Sequence, residues 1–80
     1  MNERIIKRRN RQIGVAQCIL EGRSIRETAK EYSISKETVK RDLDELYWDG
    51  YGRDEKEINK NKFLAYKALK MIESRKIRKE

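Results

Sequence analysis

The 80-residue sequence contains neither proline nor histidine, and it has a single cysteine, Cys18. Without histidine and with only one thiol, one chain can form neither a Cys/His zinc site nor an internal disulfide. The sequence also lacks metal-ligand clusters and phosphate-binding glycine loops, so we expect no enzyme activity, no metal and no cofactor. It contains no apolar run of membrane-spanning length and no apolar signal core, so we expect a cytoplasmic protein and no membrane partner.

The absence of proline and the low content of glycine, four residues in 80, favour a helical chain. Charged residues make up 44% of the sequence, yet apolar residues recur at helical spacing, so we expect a folded chain and not a disordered tail. The length allows one small domain over residues 1–80, with little room for a catalytic cleft. The predicted fold class is therefore all-α.

The middle of the chain has the pattern of a helix-turn-helix. Ser24, with Glu27 three residues later, has the reciprocal capping pattern of a helix start. Ile25, Ala29 and Tyr32 then fall on one helical face. The small Ala29 allows a second helix to cross closely. This pattern predicts a helix that begins near Ile25 and is followed by a three-residue turn.

A second helix is predicted over residues 36–46, because Ser35 is a favourable N-cap. Val39, Leu43 and Leu46 would form its buried face. The outward face of this helix would then contain the polar side chains that are available for recognition.

Ser33, in the turn, departs from the usual pattern. Helix-turn-helix proteins usually have glycine at this position, because the residue often has a positive φ, where a side chain costs about 1 kcal/mol. Ala29, Ile34 and Val39 nevertheless have the expected spacing, and three matches outweigh one mismatch. The sequence therefore predicts a helix-turn-helix whose turn contains a strained serine.

Additional helices are predicted on both sides of this core. Apolar residues share one face between Asn2 and Gly22, at Ile6, Ile13, Ala16 and Leu20. Gly14 lies within this helix and weakens it, so the basic segment 1–11 is either part of the helix, a separate turn or a mobile arm. The helix-turn-helix core would then cover residues 12–46.

A connector over residues 47–53 follows, in which two glycines interrupt the helical pattern and Trp48 is expected to be buried. Asp54 with Glu57 marks the start of a C-terminal helix with a basic tail, residues 54–80. This helix has apolar residues on two faces, and one of these faces must pack on the domain. The other would meet the first helix or the connector, or a second subunit.

The formal net charge of +7 is concentrated at the two ends of the chain. Five basic residues lie within residues 1–11 and five within residues 70–80, whereas the middle is nearly neutral. Basic segments on both sides of a helix-turn-helix suit phosphate neutralisation beside a DNA groove, although solvated helix ends would give the same composition.

Short sequence strings resemble those of a known family. They are Ile6-Lys7, Arg9, Ile13-Gly14, Ala29-Lys30-Glu31, Ser35-Lys36, Thr38-Val39 and Asp42-Leu43. Through them, residues 4–46 resemble the stage III sporulation regulator D family, small DNA-binding transcription factors of endospore-forming bacteria. The resemblance implies a monomer-capable sporulation regulator whose basic C-terminal region helps to hold DNA. The string TVKRDLDEL is also similar to the recognition helix of DeoR-type repressors, which continue into a β-hairpin wing that is not evident here.

The expected DNA contacts follow from helix-turn-helix docking, in which the N-terminal part of the second helix reaches base edges in the major groove. The residues expected at base edges are Ser35, Lys36, Glu37, Thr38, Lys40 and Arg41. Arg41 is the best base reader, because a guanidinium bonds both O6 and N7 of guanine. Glu37 would accept from cytosine N4.

Basic residues outside this helix are expected to bind the DNA backbone, which gives affinity but little sequence choice. From the sequence and its charge, these are Arg4, Lys7, Arg8, Arg9, Arg11 and Arg26. By analogy with the family and by charge, they also include Lys70, Arg75, Lys76, Arg78 and Lys79.

The sequence therefore predicts a double-stranded DNA-binding transcriptional regulator of the bacterial nucleoid. Helix-turn-helix folds also serve as protein-interaction or RNA polymerase-docking modules, and as the DNA-binding pieces of recombinases. We expect a monomer, with a homodimer through the last helix as the alternative.

Overall fold

The computed structural model describes residues 3–78, and side chains up to residue 75. Its helices are α1 (Glu3–Leu20), α2 (Ile25–Tyr32), α3 (Lys36–Asp49) and α4 (Glu55–Arg78). No strand occurs within this described range, which confirms the all-α prediction. Among the same residues, no helix is both long and apolar enough to cross a membrane.

Helix α1 is continuous through Gly14, so residues 3–11 belong to this helix and do not form a separate arm. Its buried face contains Gln12, Val15, Ala16 and Ile19, each with no exposed surface. The predicted face was therefore only partly right, because the middle of α1 packs against more than one helix.

Gly14 allows Tyr32 of α2 to lie directly against the α1 backbone. A Cβ atom at position 14 would overlap the Tyr32 hydroxyl, and it would lie 3.1 Å from the ring carbon that carries it. Burial raises the pKa of Tyr32. This glycine thus provides space for a neighbouring side chain, which explains its presence within a helix.

The predicted capping box of α2 is confirmed. The backbone N–H of Glu27 donates to Ser24 Oγ, and the backbone N–H of Ser24 donates to Glu27 Oε1, both at 3.0 Å. The backbone hydrogen bond lowers the pKa of Glu27, because the negative form accepts it. Each residue therefore satisfies a free N–H group of the other at the helix start.

The turn after α2 contains Ser33 with φ 55° and ψ 46°, the left-handed conformation that the sequence predicted. The Ile34 N–H donates to the Ala29 carbonyl at 2.9 Å, and the Ser33 N–H donates to the Lys30 carbonyl at 3.3 Å. These two bonds form a Schellman motif, which ends α2 and directs Ile34 towards the core.

The core lies between α3 and the other helices. Val39, Leu43 and Leu46 are completely buried, so the predicted buried face of α3 is confirmed. Ala65 and Ala68 of α4 are also completely buried, and their small side chains permit close helix contact.

Helix α3 continues to Asp49, so the first three residues assigned to the connector are helical. The prediction that Trp48 is buried was wrong, because its side chain is 73% exposed. The helical continuation turns Trp48 outward, on the side away from Leu46. The chain then reverses at Gly50, which has a positive φ and lies against Ile58 and Lys62 of α4.

Helix α4 begins where the sequence predicted. The Glu57 N–H donates to Asp54 Oδ1 at 2.8 Å, and the Arg53 N–H donates to Glu57 Oε2 at 3.0 Å. The helix then packs against both α1 and α3. Helix α3 is consequently held from several sides, and its outward face remains open.

Candidate nucleic-acid interface

A polar seam joins α1 to the side of α3 next to its outward face. We call it the α1–α3 seam, and its residues are Arg9, Arg11, Gln12, Asp42, Glu45 and Asp49. The three acidic residues recur along α3 at intervals of three and four, which is the spacing of one helical face. The seam therefore adds directional bonds to the apolar packing of α3.

The central contact of the seam is a two-bond ion pair. Arg11 Nε and Nη2 donate to the two carboxylate oxygens of Asp42 at 2.8 and 2.9 Å. The Asp42 side chain is only 2% exposed, whereas that of Arg11 is 31% exposed. The hydrogen bond to Asp42 raises the pKa of Arg11 although burial acts against it. This planar, two-bond geometry fixes the relative orientation of the two side chains as well as the distance between them.

The remaining seam contacts extend towards the end of α3. Gln12 Nε2 donates to Glu45 at 2.8 Å, and Arg9 donates to the Gln12 side-chain oxygen at 3.0 Å. Arg9 also pairs with Asp49 at 3.0 Å. Among the described residues, no buried side-chain nitrogen or oxygen lacks a hydrogen-bond partner.

The outward face of α3, next to the seam, presents charged side chains to solvent. Lys36, Glu37, Lys40 and Arg41 are all exposed, and within the described structure none of their side chains has a hydrogen bond or an ion pair. They are concentrated in the first two turns of α3. Side chains in such a position can reach a ligand without breaking internal contacts.

Two hydroxyl groups mark the start of α3. Ser35 Oγ accepts from the Thr38 backbone N–H at 3.1 Å and lies 2.8 Å from Thr38 Oγ1, which confirms the predicted N-cap. The cap is exposed at Ser35 and half-buried at Thr38. The structure therefore brings all six residues expected at base edges to one end of α3.

The basic residues expected at the DNA backbone are not all in equivalent positions. Lys7 and Arg8 are exposed on the first turns of α1, and Arg4 is also exposed there. Arg9 and Arg11 instead engage α3 through the seam. The charge count alone does not reveal this difference, because it does not identify a partner for each basic residue. The acidic spacing along α3 was the available signal.

Arg9 pairs with the last residue of α3, so the start of α1 lies near the C-terminal end of α3. Arg26 is exposed on α2. The start of α1 and the first two turns of α3 are therefore separated along α3 by about 12–20 Å.

At the other end of the chain, Arg75 Nη1 donates to the Arg23 carbonyl at 2.8 Å, which holds the end of α4 next to the turn between α1 and α2. Lys70 lies 3.9 Å from Glu73. The side chains of Lys76 and Arg78 lie outside the described part of the structure, as does Lys79. Among the described side chains, residues 3–75, three or more His, Cys, Asp or Glu residues do not gather into a group that suits a metal.

The structure has two helices, α2 and α3, joined by a tight turn. The second helix is held in place by its neighbours and has an open polar face, which is the arrangement of the helix-turn-helix class of DNA-binding proteins. The family model described as stage III sporulation protein D matches residues 3–79, and the chain belongs to this family. The family comprises DNA-binding regulators of sporulation and is not a family of enzymes. Comparisons with curated proteins and with solved structures gave no significant match.

The family match confirms the resemblance and extends beyond residues 4–46, on which the resemblance was based. It includes the turn after α3 and all of α4. The C-terminal helix is thus part of the family pattern and not an unrelated extension. Transcription regulation and DNA binding are therefore properties of the family to which this chain belongs.

Proposed function

We propose that the protein regulates transcription by binding specific sequences in double-stranded DNA, with the N-terminal half of α3 in the major groove. The observation that carries this proposal is the contrast between the two sides of α3. Its inner sides are fixed by the core and the α1–α3 seam, whereas Lys36, Glu37, Lys40 and Arg41 are exposed and have no internal partner. A rigid helix with unpaired polar side chains suits base recognition.

Arg41 has the main role in sequence choice. Its guanidinium can donate to O6 and N7 of one guanine, which contributes about 1–3 kcal/mol of discrimination against another base. Asp42, its neighbour in sequence, is held by Arg11, and this contact fixes the rotation of α3 at that turn. The seam thus orients Arg41 without contacting DNA.

Glu37 and the two lysines refine the recognition. Glu37 is one turn before Arg41 on the same stripe, where its carboxylate would accept from cytosine N4. Lys36 and Lys40 would bind either base edges or phosphates. The Ser35 and Thr38 hydroxyls lie at the helix start, where they add short-range contacts to the same DNA segment.

Phosphate contacts come from several surfaces. Arg4, Lys7 and Arg8 on α1 and Arg26 on α2 are exposed, which supports a backbone role. The basic residues assigned to the same role at the end of the chain are Lys70, Arg75, Lys76, Arg78 and Lys79. Arg9 and Arg11 act differently in this proposal, because their ion pairs with α3 suit positioning of that helix.

The proposed protein acts as a monomer at the chromosome in the cytoplasm. A protein-interaction or RNA polymerase-docking module would have no evident use for basic surfaces around the open face of α3. A recombinase piece would require a catalytic partner domain, and the family is not one of enzymes. Binding measurements with selected duplexes would distinguish these functions.

The test uses duplexes selected from a random pool with the full protein, and their scrambled versions. Binding is measured by fluorescence anisotropy at several salt concentrations. Arg41→Ala should reduce the preference for selected duplexes by about tenfold or more, which corresponds to loss of one two-bond base contact. Lys7→Ala/Arg8→Ala should weaken binding to both duplexes alike and reduce the salt slope by about 2.

Arg53→Ala is the matched control for Arg41→Ala. Arg53 lies between α3 and α4, its side chain is 94% exposed, and its ion pair is local. This variant should bind as the unaltered protein does. If Arg41→Ala and Lys7→Ala/Arg8→Ala both gave the same uniform loss, the proposed division between base and phosphate contacts would be incorrect. Failure to select any duplex would contradict the proposed function itself.

A further inference from the structure

An exposed ridge of aromatic and lysine side chains extends from the end of α3 along α4. We call it the aromatic–lysine ridge, and its residues are Tyr47, Trp48, Phe63, Tyr66, Lys67 and Lys70. The ring of Tyr47 contacts Trp48 edge to face, with centroids 5.2 Å apart, and lies 6.2 Å from the Tyr66 ring. Phe63 is three residues before Tyr66 on the same helix, so the rings form a continuous surface.

The ridge exposes far more apolar surface than the surrounding structure. Four large apolar side chains are exposed in the described part of the chain, and three of them are Trp48, Phe63 and Tyr66, at 73%, 60% and 43%. Single exposed apolar residues need no explanation, but a contiguous aromatic patch marks an interaction surface. Aromatic residues are also enriched at protein interfaces.

The two lysine side chains of the ridge lie next to its aromatic rings. Lys67 Nζ lies 5.3 Å from the Phe63 ring centroid, and Lys70 Nζ lies 5.6 Å from that of Tyr66. The exposed residues of α4 from Lys60 to Lys70 include these lysines and no acidic residue, although Lys70 lies 3.9 Å from Glu73. An ammonium group beside a ring can bind an incoming carboxylate while the ring contacts an apolar side chain.

We propose that the aromatic–lysine ridge binds an acidic amphipathic helix of a partner protein. The occupant must cover aromatic rings and compensate positive charge, and an acidic helix with an apolar stripe does both. A second copy of this chain would place the lysines of α4 against each other, which is unfavourable. This inference does not depend on the proposed contacts of Arg41.

Duplex DNA suits the ridge less well. The bases of a duplex are stacked, so they offer the rings no faces on which to pack. Apart from Lys70, which is also assigned to the DNA backbone, the ridge and the N-terminal half of α3 are therefore separate surfaces for two kinds of partner.

Trp48 is the only tryptophan in the sequence, so its emission reports directly on the ridge. The probe is a synthetic helical peptide with leucines on one face and glutamates on the other, without aromatic residues. Its counterpart has lysine in place of each glutamate. We expect the acidic peptide to shift Trp48 emission to the blue in a saturable manner and to protect it from acrylamide, and the lysine peptide to have no such effect.

Two variants of the ridge and two matched controls test the location of binding by anisotropy with labelled peptide. Phe63→Ser and Lys67→Glu should each weaken binding of the acidic peptide about tenfold or more, as expected for central interface residues. Ile5→Ser changes an exposed apolar residue on α1, and Lys56→Glu makes the same charge change at the start of α4. Both controls should bind within about twofold of the unaltered protein.

Several results would overturn the proposal. One is equal binding of the acidic and lysine peptides, and another is no saturable change of Trp48 with the acidic peptide. Concentration-dependent dimerisation in sedimentation experiments, abolished by Phe63→Ser, would identify a second copy as the occupant. Protection of Trp48 by a selected duplex alone would assign the ridge to DNA. In each case DNA selection remains a separate measurement, so the two proposals succeed or fail independently.

Discussion

Replacement of Arg11 by methionine tests how strongly the α1–α3 seam holds α3. Methionine keeps much of the apolar length of arginine but removes both hydrogen bonds to Asp42. If the structure did not rearrange, the Asp42 side chain would remain only 2% exposed. Its nearest remaining hydrogen-bond donor would be Gln12 Nε2, at 3.4 Å. The variant therefore leaves a buried negative charge without adequate compensation.

The expected loss follows from the burial of the two partners. Breaking a fully buried ion pair from one side costs about 3–5 kcal/mol. Because Arg11 itself is 31% exposed, water can partly replace it, and we expect about 2–3 kcal/mol. For a domain of this size the free energy of unfolding is about 4–12 kcal/mol. The melting temperature should therefore fall by about 10–20 °C.

The double variant Arg11→Met/Asp42→Leu separates the charge from the packing. An apolar pair of similar volume in place of a buried ion pair is often near neutral, so the double variant should be more stable than Arg11→Met by at least about 1 kcal/mol. Urea unfolding followed by far-UV circular dichroism measures both variants. Equal unfolding midpoints for the single and double variants would refute the argument, because the uncompensated carboxylate would then cost nothing.

Three further predictions concern the local structure around α2. Ser33→Gly should raise the free energy of unfolding by about 0.5–1 kcal/mol, because glycine relieves the positive φ, and an unchanged urea midpoint would contradict this. Gly14→Ala should destabilise the protein through overlap with the Tyr32 hydroxyl, and this loss should be smaller in a Tyr32→Phe background, where only the ring carbon at 3.1 Å remains close; thermal unfolding measures both. The pKa of Glu27 is lowered on folding, so its contribution is present at neutral pH and is lost as pH falls through that pKa. The stability difference between the unaltered protein and Glu27→Gln should therefore shrink in acid, and a constant difference in urea midpoint from neutral to acidic pH would exclude this explanation.

The helix-turn-helix was predictable because its signals are local. Ser24 and Glu27 interact with each other, and the Ser33 conformation depends on the bonds that end α2. The apolar spacing through Val39 and Leu43 determines which side of α3 is buried. None of these features requires knowledge of a distant residue.

The end of α3 was harder to predict because its contacts are distant in sequence. Asp49 pairs with Arg9, 40 residues earlier, and glycines after α3 suggested an earlier end. Trp48 was expected to be buried, although its position seven residues after Arg41 places it on the outward stripe of α3. Helical periodicity, extended past Leu46, would have predicted this exposure.

The basic residues of α1 illustrate a similar limit for the candidate site. Arg8 and Arg11 are equivalent in a charge count, but Arg8 is exposed and Arg11 pairs with a buried carboxylate. The charge of a residue is evident from the sequence, whereas its partner depends on how the helices pack. The family match could not resolve this either, because it assigns no role to individual residues.

The most direct test of the central claim is a chemical double-mutant cycle between Arg41 and guanine N7. Each guanine of a selected duplex is replaced in turn by 7-deazaguanine, which lacks the N7 acceptor in the major groove. One replacement should weaken binding of the unaltered protein by about tenfold, and it should have no further effect on Arg41→Ala. If no replacement affected the unaltered protein, or if Arg41→Ala retained the full sensitivity, Arg41 would not read guanine in the major groove.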